Sequence, residues 1–331
     1  MIFESRAYAR AGLLGNPSDG YFGKTISIIV RNFGAHVSLY ESPELHIEQQ
    51  DEDRNIFRNI YQLVEAVDLT GYYGGDRLVK ATIKKFCEYC HDRNIRLHGK
   101  NFTIRYRSSI PRQVGLAGSS AIVAATMKVL MAFYEVEIDK AVLPGLILAV
   151  ETDELGINAG LQDRVIQVYE GCVFMDFESK LMENQGYGNY TPIDPALLPK
   201  LYIAYKTNLG KVSGSVFNDV KARYEQGEPL VVDTLREIAQ VAEDGRAALQ
   251  NNDIGQFAKL IDKNFDLRAQ IFGISESNRE LVTVARKCGA SAKFTGSGGS
   301  IIGTYDSDEI LRCLVINLQK INARVIKPYI I

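Results

Sequence analysis

Residues 111–121 read PRQVGLAGSSA, and their place between NFTIRYR (101–107) and the apolar run from Ser119 onward decides how the rest of the chain is read. NFTIRYR alternates apolar and polar side chains and is rich in β-formers, the pattern of a strand. Residues 119–134 carry helical periodicity and begin on two serines, which suit a helix N-terminus. The stretch is therefore a glycine loop leading from a strand into a helix. Gly115 and Gly118 let the backbone approach a ligand closely, and the first amides of a helix present donors to an anion. Ser119 or Ser120 adds a hydroxyl for phosphate or for a magnesium ion. No lysine follows the second glycine in GxxxxGK[ST] spacing, so this is not a Walker loop. A plain helix start accounts for the same residues, so the stretch takes its meaning from its company.

Two more glycine clusters keep that company. Residues 10–24 read RAGLLGNPSDGYFGK and 293–300 read KFTGSGGS. The first is either a turn-rich connection or a loop that holds a polar substrate, with Asp19 accepting sugar hydroxyls and Arg10 near an anion. The second is either a tight turn between strands or a backbone nest for phosphate, built on Gly296, Gly298 and Gly299. A fourth stretch, AVETDELGINAGLQDR (149–164), places Glu151 and Glu154 three apart, on one helical face if the helix continues. Gly156 and Gly160 then break the pattern, so that a loop delivers Asp163. Leu161, Val165 and Ile166 flank that aspartate, and a carboxylate in apolar surroundings needs a partner or a shifted pKa.

Around these clusters the chain alternates strand and helix patterns. Strands are expected at 24–40 on either side of Gly34, and at 101–107, 172–177, 201–206 and 323–329, with a strand–loop–strand at 292–305. Helices are expected at 53–67, 76–91, 119–134, 139–155, 211–226, 233–251, 254–271, 276–288 and 306–321. Such mixing means an α+β or α/β class. The weakest pattern, at 182–199, suggests a boundary between domains at 1–188 and 189–331. The chain has 331 residues, enough for one large or two medium domains with a sizeable core.

Thirty-eight basic against forty acidic residues leave a net charge of −2, which argues against a dedicated nucleic-acid binder. No apolar run reaches the ~18 residues of a membrane span, and the N-terminus lacks a signal-peptide pattern. The expected setting is cytoplasmic, with no membrane partner. Of the five cysteines, Cys87 and Cys90 form a lone CxxC without a second pair for zinc, and are expected to be reduced thiols. No glycine cluster fits GxGxxG after a first strand with an acid ~20 residues on, which disfavours a Rossmann oxidoreductase.

Taken together, RAGLLGNPSD, PRQVGLAGSSA and KFTGSGGS resemble the three motifs of the GHMP small-molecule kinases, in that family's order and over essentially the whole chain. Within the family, GYYGGDRL (71–78), ELGINAGLQDRV (154–165) and NFDLR (264–268) look most like the plant-type glucuronokinases. The resemblance implies an α+β, two-domain fold, with a left-handed βαβ unit in the N-terminal domain and a ferredoxin-like C-terminal domain. It implies ATP and Mg2+, and transfer of the γ-phosphate to the anomeric hydroxyl of a sugar acid, D-glucuronate. Galacturonate, fucose, a heptose phosphate, or a catalytically inactive ligand sensor are the alternatives.

Residue by residue, Asp163 falls on the family's catalytic aspartate and Arg10 on the basic residue of the first motif. Ser120, or Ser119, falls on the magnesium-contacting serine, and Glu151, or Glu154, on the second magnesium ligand. Pro111, Gly115, Leu116, Ala117, Gly118 and Ser119 fall on the nucleotide loop, and Gly296, Gly298 and Gly299 on the third motif. Asp19 falls on the sugar-binding acid. Tyr21 and Arg112 are expected beside the substrate. GLAGSSA is one residue longer than the common GLGSSA, which leaves the serine register open. Asn16 stands where galactokinases carry an acid, which argues against galactose. A uronic acid also calls for an arginine at its carboxylate, and Arg6, Arg31, Arg112 and Arg268 are the candidates.

Overall fold

The computed structural model describes residues 1–48, 75–207 and 215–331. The helix expected at 53–67 and the first part of GYYGGDRL lie outside the described residues. The described chain forms two compact units: Met1–Ala9, Phe33–Ile110 and Ala117–Val168, and Arg10–Asn32, Pro111–Leu116 and Tyr169–Ile331. This division interleaves along the chain, unlike a linear boundary at 188/189, because strands β1 (Ile2–Leu14) and β2 (Lys24–Ser42) each contribute residues to both units.

In the first unit, β4 (Asn101–Ser108) pairs antiparallel with the second half of β2, from Ala35↔Ser108 to Ser42↔Asn101, and parallel with β3 (His46–Ile47). The alternation in NFTIRYR is realised: Phe102, Ile104 and Tyr106 are buried while Arg105 and Arg107 are exposed. Strand β2 is one continuous element, where sequence suggested two strands around Gly34. That glycine does not turn the chain. A Cβ there would lie 3.1 Å from the Tyr8 ring and 3.2 Å from the Ala7 carbonyl, so glycine permits close strand approach. Helix α1 (Gly75–Asp92) packs on α2 (Gly118–Tyr134). Helix α2 buries side chains all around, from Ser120 to Phe133, as expected for a nearly all-apolar helix. The helix expected at 139–155 is shorter: α3 spans Leu143–Ala149, with Pro144 in its first turn. A π turn follows at Val150–Glu154. The unit ends at Val168, within helix α4 (Gln162–Tyr169).

In the second unit, β5 (Cys172–Asp176) pairs antiparallel with the first half of β2 and with β6 (Asn189–Ile193). Between them lies α5 (Ser179–Gln185). The stretch 182–199, whose weak pattern suggested a boundary, therefore contains a helix end and a paired strand. A second sheet joins β7 (Leu201–Lys206), β8 (Lys293–Phe294), β9 (Ser300–Thr304) and β10 (Ala323–Ile326) in the order β10-β7-β9-β8, all antiparallel. Counted within this sheet the order is fourth, first, third, second, the ferredoxin-like arrangement. Helices α6 (Ser215–Glu225), α7 (Pro229–Gln250), α8 (Ile254–Ile271) and α9 (Glu276–Lys287) connect its first two strands, and α10 (Asp308–Gln319) its last two. Tyr202, Phe265, Leu281, Phe294, Ile301 and Leu314 build its core. Helices α7 and α8 form a hairpin, and the Asp253 carboxylate caps α8 by accepting from the Gln256 amide at 2.9 Å.

Cys288 and Cys313 form a disulfide between α9 and α10, a pairing that spacing alone does not reveal. Cys87, Cys90 and Cys172 are free. No helix among the described residues is long and apolar enough to cross a membrane.

Candidate active site

Within the first unit, the chain enters α2 through Ala117, which is left-handed (φ 59°, ψ 43°). The buried Gln167 fixes this turn: its Nε2 donates to the carbonyls of Ala117 at 3.0 Å and Tyr8 at 3.2 Å. The serines do not cap the helix, contrary to the sequence reading. The cap position falls on Ala117, whose methyl offers no acceptor, and Gly118, Ser119 and Ser120 form the first turn. Ser120 is buried and Ser119 half-buried.

Glu151 lies on the π turn and is buried, as is Arg164 on α4. The Arg164 Nη2 group donates to Glu151 Oε2, and its Nη1 donates to the Gly160 carbonyl at 2.7 Å. The same guanidinium lies 3.5 Å from Asp163 Oδ2. The partner that the apolar surroundings of Asp163 demanded is thus its sequence neighbour. Asp163 is not delivered by a loop, as expected, but sits in the first turn of α4, where helix-start amides favour a negative charge. Glu154 does not share the setting of Glu151. Its two oxygens meet Lys84 and Lys85 of α1, and these ammoniums hold its carboxyl below the usual range. Glu151 and Ser120 supply hard oxygen donors of the kind that suits magnesium. No cluster of three His, Cys, Asp or Glu fit to hold a metal occurs among the described residues, so phosphates and water would have to complete any such shell.

Within the second unit, residues 111–116 interlock with the third glycine cluster. The Val114 carbonyl accepts from Ser300 Oγ, and the Gly115 carbonyl accepts from Thr295 Oγ1 at 3.2 Å. Gly115 has φ +70°, and a Cβ there would lie 2.8 Å from the Gly298 carbonyl. Gly299 has φ +79° and its amide donates to Asn278 Oδ1 at 2.9 Å. The third cluster is thus a shaped loop held against the second. Arg10 is a strand residue of β1, not a loop residue, and is 5% exposed. Its Nη1 donates to the Thr295 carbonyl at 2.6 Å and the Gly115 carbonyl at 3.2 Å. A Cβ at position 296 would lie 2.7 Å from that Nη1, so glycine there makes room for the guanidinium.

The NFDLR stretch lies on α8 with Asn264, Phe265, Leu267 and Arg268 buried and Asp266 exposed. Asn264 accepts from the Gly15 amide at 2.7 Å and donates to the Asn16 carbonyl at 3.1 Å, fixing the first motif. One turn on, Arg268 Nη1 donates to the Gly296 carbonyl at 2.8 Å. Lys293 is fully buried, and its ammonium donates to the Gly12 carbonyl at 2.8 Å, the Phe294 carbonyl at 2.9 Å and Asn16 Oδ1. Burial, then the Arg268 and Arg10 charges, hold its pKa well below the ordinary value. Asp19 and Tyr21 occupy a short 3-10 turn, Ser18–Tyr21, and Tyr21 meets Tyr224 edge-on at 4.8 Å between ring centroids. Burial and the Asp19 charge push the Tyr21 phenol up to about 12, so it stays protonated and able to donate at neutral pH. Arg112 is exposed. Asn264, Lys293, Asn278 and Arg164 were missed by the sequence reading. The polar positions at 264 and 268, inside the apolar stripe 257, 260, 261, 265 and 271 of α8, were the available signal.

Comparison with known proteins agrees with this arrangement. Residues 77–171 match the GHMP kinases N terminal domain and residues 246–317 the GHMP kinases C terminal model. "Probable glucuronokinase 2" of Arabidopsis thaliana is 47% identical over 308 residues, 91% of this chain and 84% of that protein. "Glucuronokinase 1" of the same plant is 45% identical over 305 residues, 90% of this chain and 84% of that protein. The crystal structure of the Methanococcus jannaschii mevalonate kinase superposes with a TM-score of 0.73 at 21% identity, covering 100% of this chain and 98% of that one.

Proposed function

This chain belongs to the GHMP kinase family, and we propose that it phosphorylates the anomeric hydroxyl of D-glucuronate with ATP, giving glucuronate 1-phosphate and ADP. The observation that carries the substrate is the 45–47% identity to the two Arabidopsis glucuronokinases along nine-tenths of the chain. The chemistry follows from the residues. Phosphoryl transfer needs little covalent help and much positioning and charge stabilisation. The amides of Gly115, Leu116, Ala117, Gly118 and Ser119 cradle the triphosphate, after Pro111 has ended the preceding strand. Gly296, Gly298 and Gly299 shape the loop that supports it.

Asp163 accepts the proton of the anomeric hydroxyl as that oxygen bonds to the γ-phosphorus and the bond to the ADP oxygen breaks. The Arg10 charge stabilises the transferring phosphoryl. Asp19 and Tyr21 hold sugar hydroxyls, and Arg112 lies near the substrate as an exposed contact. Magnesium, when bound through Ser120 and Glu151, supplies positive charge to the phosphate oxygens. We read residues 1–188 and 189–331 as the two domains, with one family model matched on each side of that boundary.

The test is a panel of uronic acids, neutral sugars and sugar phosphates with ATP and magnesium, scored for ADP release, with the product located by phosphorus NMR. Glucuronate is the preferred acceptor and the anomeric oxygen carries the phosphate. No uronate turnover, or phosphate on another oxygen, overturns the reading.

A further inference from the structure

A uronic acid differs from a neutral hexose by one carboxylate, and the four arginines left open by sequence differ in what they offer it. Arg6 and Arg112 are exposed. Arg31 is committed to Glu170 at 2.5 Å. Arg268 is 4% exposed. Its Nη1 is pinned to the Gly296 carbonyl, and its guanidinium lies 5.1 Å from the Phe272 ring centroid and 5.2 Å from that of Phe294. It is also the arginine coupled electrostatically to both Asp19 and Tyr21, the half-buried residues proposed to hold the sugar.

The local charge points the same way. Arg10, Arg268 and Lys293 are all buried in this unit and close enough to act on one another. Burial, opposed by Asp19 and assisted by Arg10, draws the Arg268 pKa down to about 10. Arg268 still carries its charge at neutral pH, in a place where charges act strongly on one another. A guanidinium held by a carbonyl and two rings has lost its rotamer freedom before any ligand arrives, which favours a planar, two-oxygen partner.

We propose that Arg268 is the specificity-determining residue for the carboxylate of the sugar acid, set beside Asp19 and Tyr21, which take its hydroxyls. The proposal rests on the glucuronate reading above. Under it, the NFDLR stretch has two tasks on one helix face. Asn264 fixes the first motif, and Arg268 selects for acid over neutral sugar.

The experiment compares glucuronate with glucuronamide, its neutral amide, as acceptors. Wild-type enzyme prefers the acid by about 10²-fold in kcat/KM. Arg268→Gln loses about that factor for the acid, mostly through KM, with little change for the amide or in the KM of ATP. Arg268→Lys keeps the charge without the fork and retains an intermediate preference. Since Arg268 is buried, a measurement on unmutated protein accompanies the kinetics. In protein labelled at arginine Nε, glucuronate moves the Arg268 resonance and glucuronamide does not.

Equal losses for acid and amide would reduce Arg268 to a positioning role, and a raised KM for ATP would make it a phosphate group; either overturns the proposal. So does a wild-type enzyme that turns over both acceptors equally, or an Arg268 resonance that ignores glucuronate. Wild-type enzyme inert towards glucuronate instead overturns the reading on which the proposal rests.

Discussion

The buried pair of Glu151 and Arg164 allows a stability prediction to be worked from the structure. Both side chains are 3% exposed, so neither charge is solvated if its partner is lost. Glu151→Gln removes the carboxylate that Arg164 Nη2 bonds and leaves its buried guanidinium facing Asp163, 3.5 Å away. Breaking such a pair from one side costs ~3–5 kcal/mol, against at most ~1 kcal/mol for an exposed pair. At ~2–4 °C per kcal/mol for a domain of about 150–250 residues, the midpoint falls by roughly 6–20 °C. Replacing both partners by apolar groups, Glu151→Met with Arg164→Met, removes the half-broken pair. What remains is the loss of the Arg164 donor at the Gly160 carbonyl, worth ~1–3 kcal/mol, and of its contact with Asp163. The double variant is therefore more stable than Glu151→Gln. Thermal and urea unfolding of wild type, both single methionine variants and the double variant give the coupling energy. A midpoint for Glu151→Gln within 2 °C of wild type, or single effects that add to within ~0.5 kcal/mol, refutes a structural pair.

Asp163→Asn lowers kcat by ~10²-fold or more with little change in melting, as for loss of a positioned base; near-wild-type kinetics remove it from the mechanism. Ser120→Ala mainly raises the KM of magnesium-ATP, and the same effect from Ser119→Ala alone shifts the serine register by one. Lys293→Met takes the ammonium donor from the Gly12 carbonyl and Asn16 Oδ1, and leaves the Phe294 carbonyl with the long bond from Asn16 Nδ2, costing ~3 kcal/mol by urea unfolding. The folded pKa of Lys293 is depressed, so the unfolded chain binds more protons between that value and ~10.4. Wild-type stability rises with pH across that window, and Lys293→Met flattens the rise. Reducing Cys288–Cys313, which encloses a sequence separation of 25, lowers stability by roughly 3–4 kcal/mol; thiol titration and melting with and without reductant check it.

Much of the site was legible because its parts are backbone features with a compositional mark. A left-handed Gly115 or Gly299, or a Gly296 that must clear the Arg10 guanidinium, is marked in sequence by the absence of a side chain. The strand before and the helix after 111–121 follow from periodicity. Partnerships were not legible, since they pair residues distant in sequence: Arg10 with Thr295, Asn264 with Gly15, Lys293 with Gly12. The helix spacing of Glu151 and Glu154 misled for another reason. A π turn changes the angle between them, and each found cations on a different element, Arg164 in one case, Lys84 and Lys85 in the other. Strand β1 was hidden because its residues 10–14 sit in a stretch dominated by turn formers.

The near-neutral total charge also takes on a different sense. It excluded a basic binding surface, yet the second unit buries an ammonium and two guanidiniums around one glycine loop. Each of these groups bonds neutral carbonyl or amide oxygens: Arg10 those of Thr295 and Gly115, Arg268 that of Gly296, Lys293 those of Gly12, Phe294 and Asn16. Carbonyls fix where such a group points without adding a negative charge of their own, in a low-dielectric place where charges act strongly on one another. Exposed lysines would give the same formal charge and lose most of it to solvent screening. Departures of this kind from a well-satisfied core gather where a fold gives up stability for function. Here the cost is visible in the depressed pKa values of Arg268 and Lys293, for which burial is the first cause.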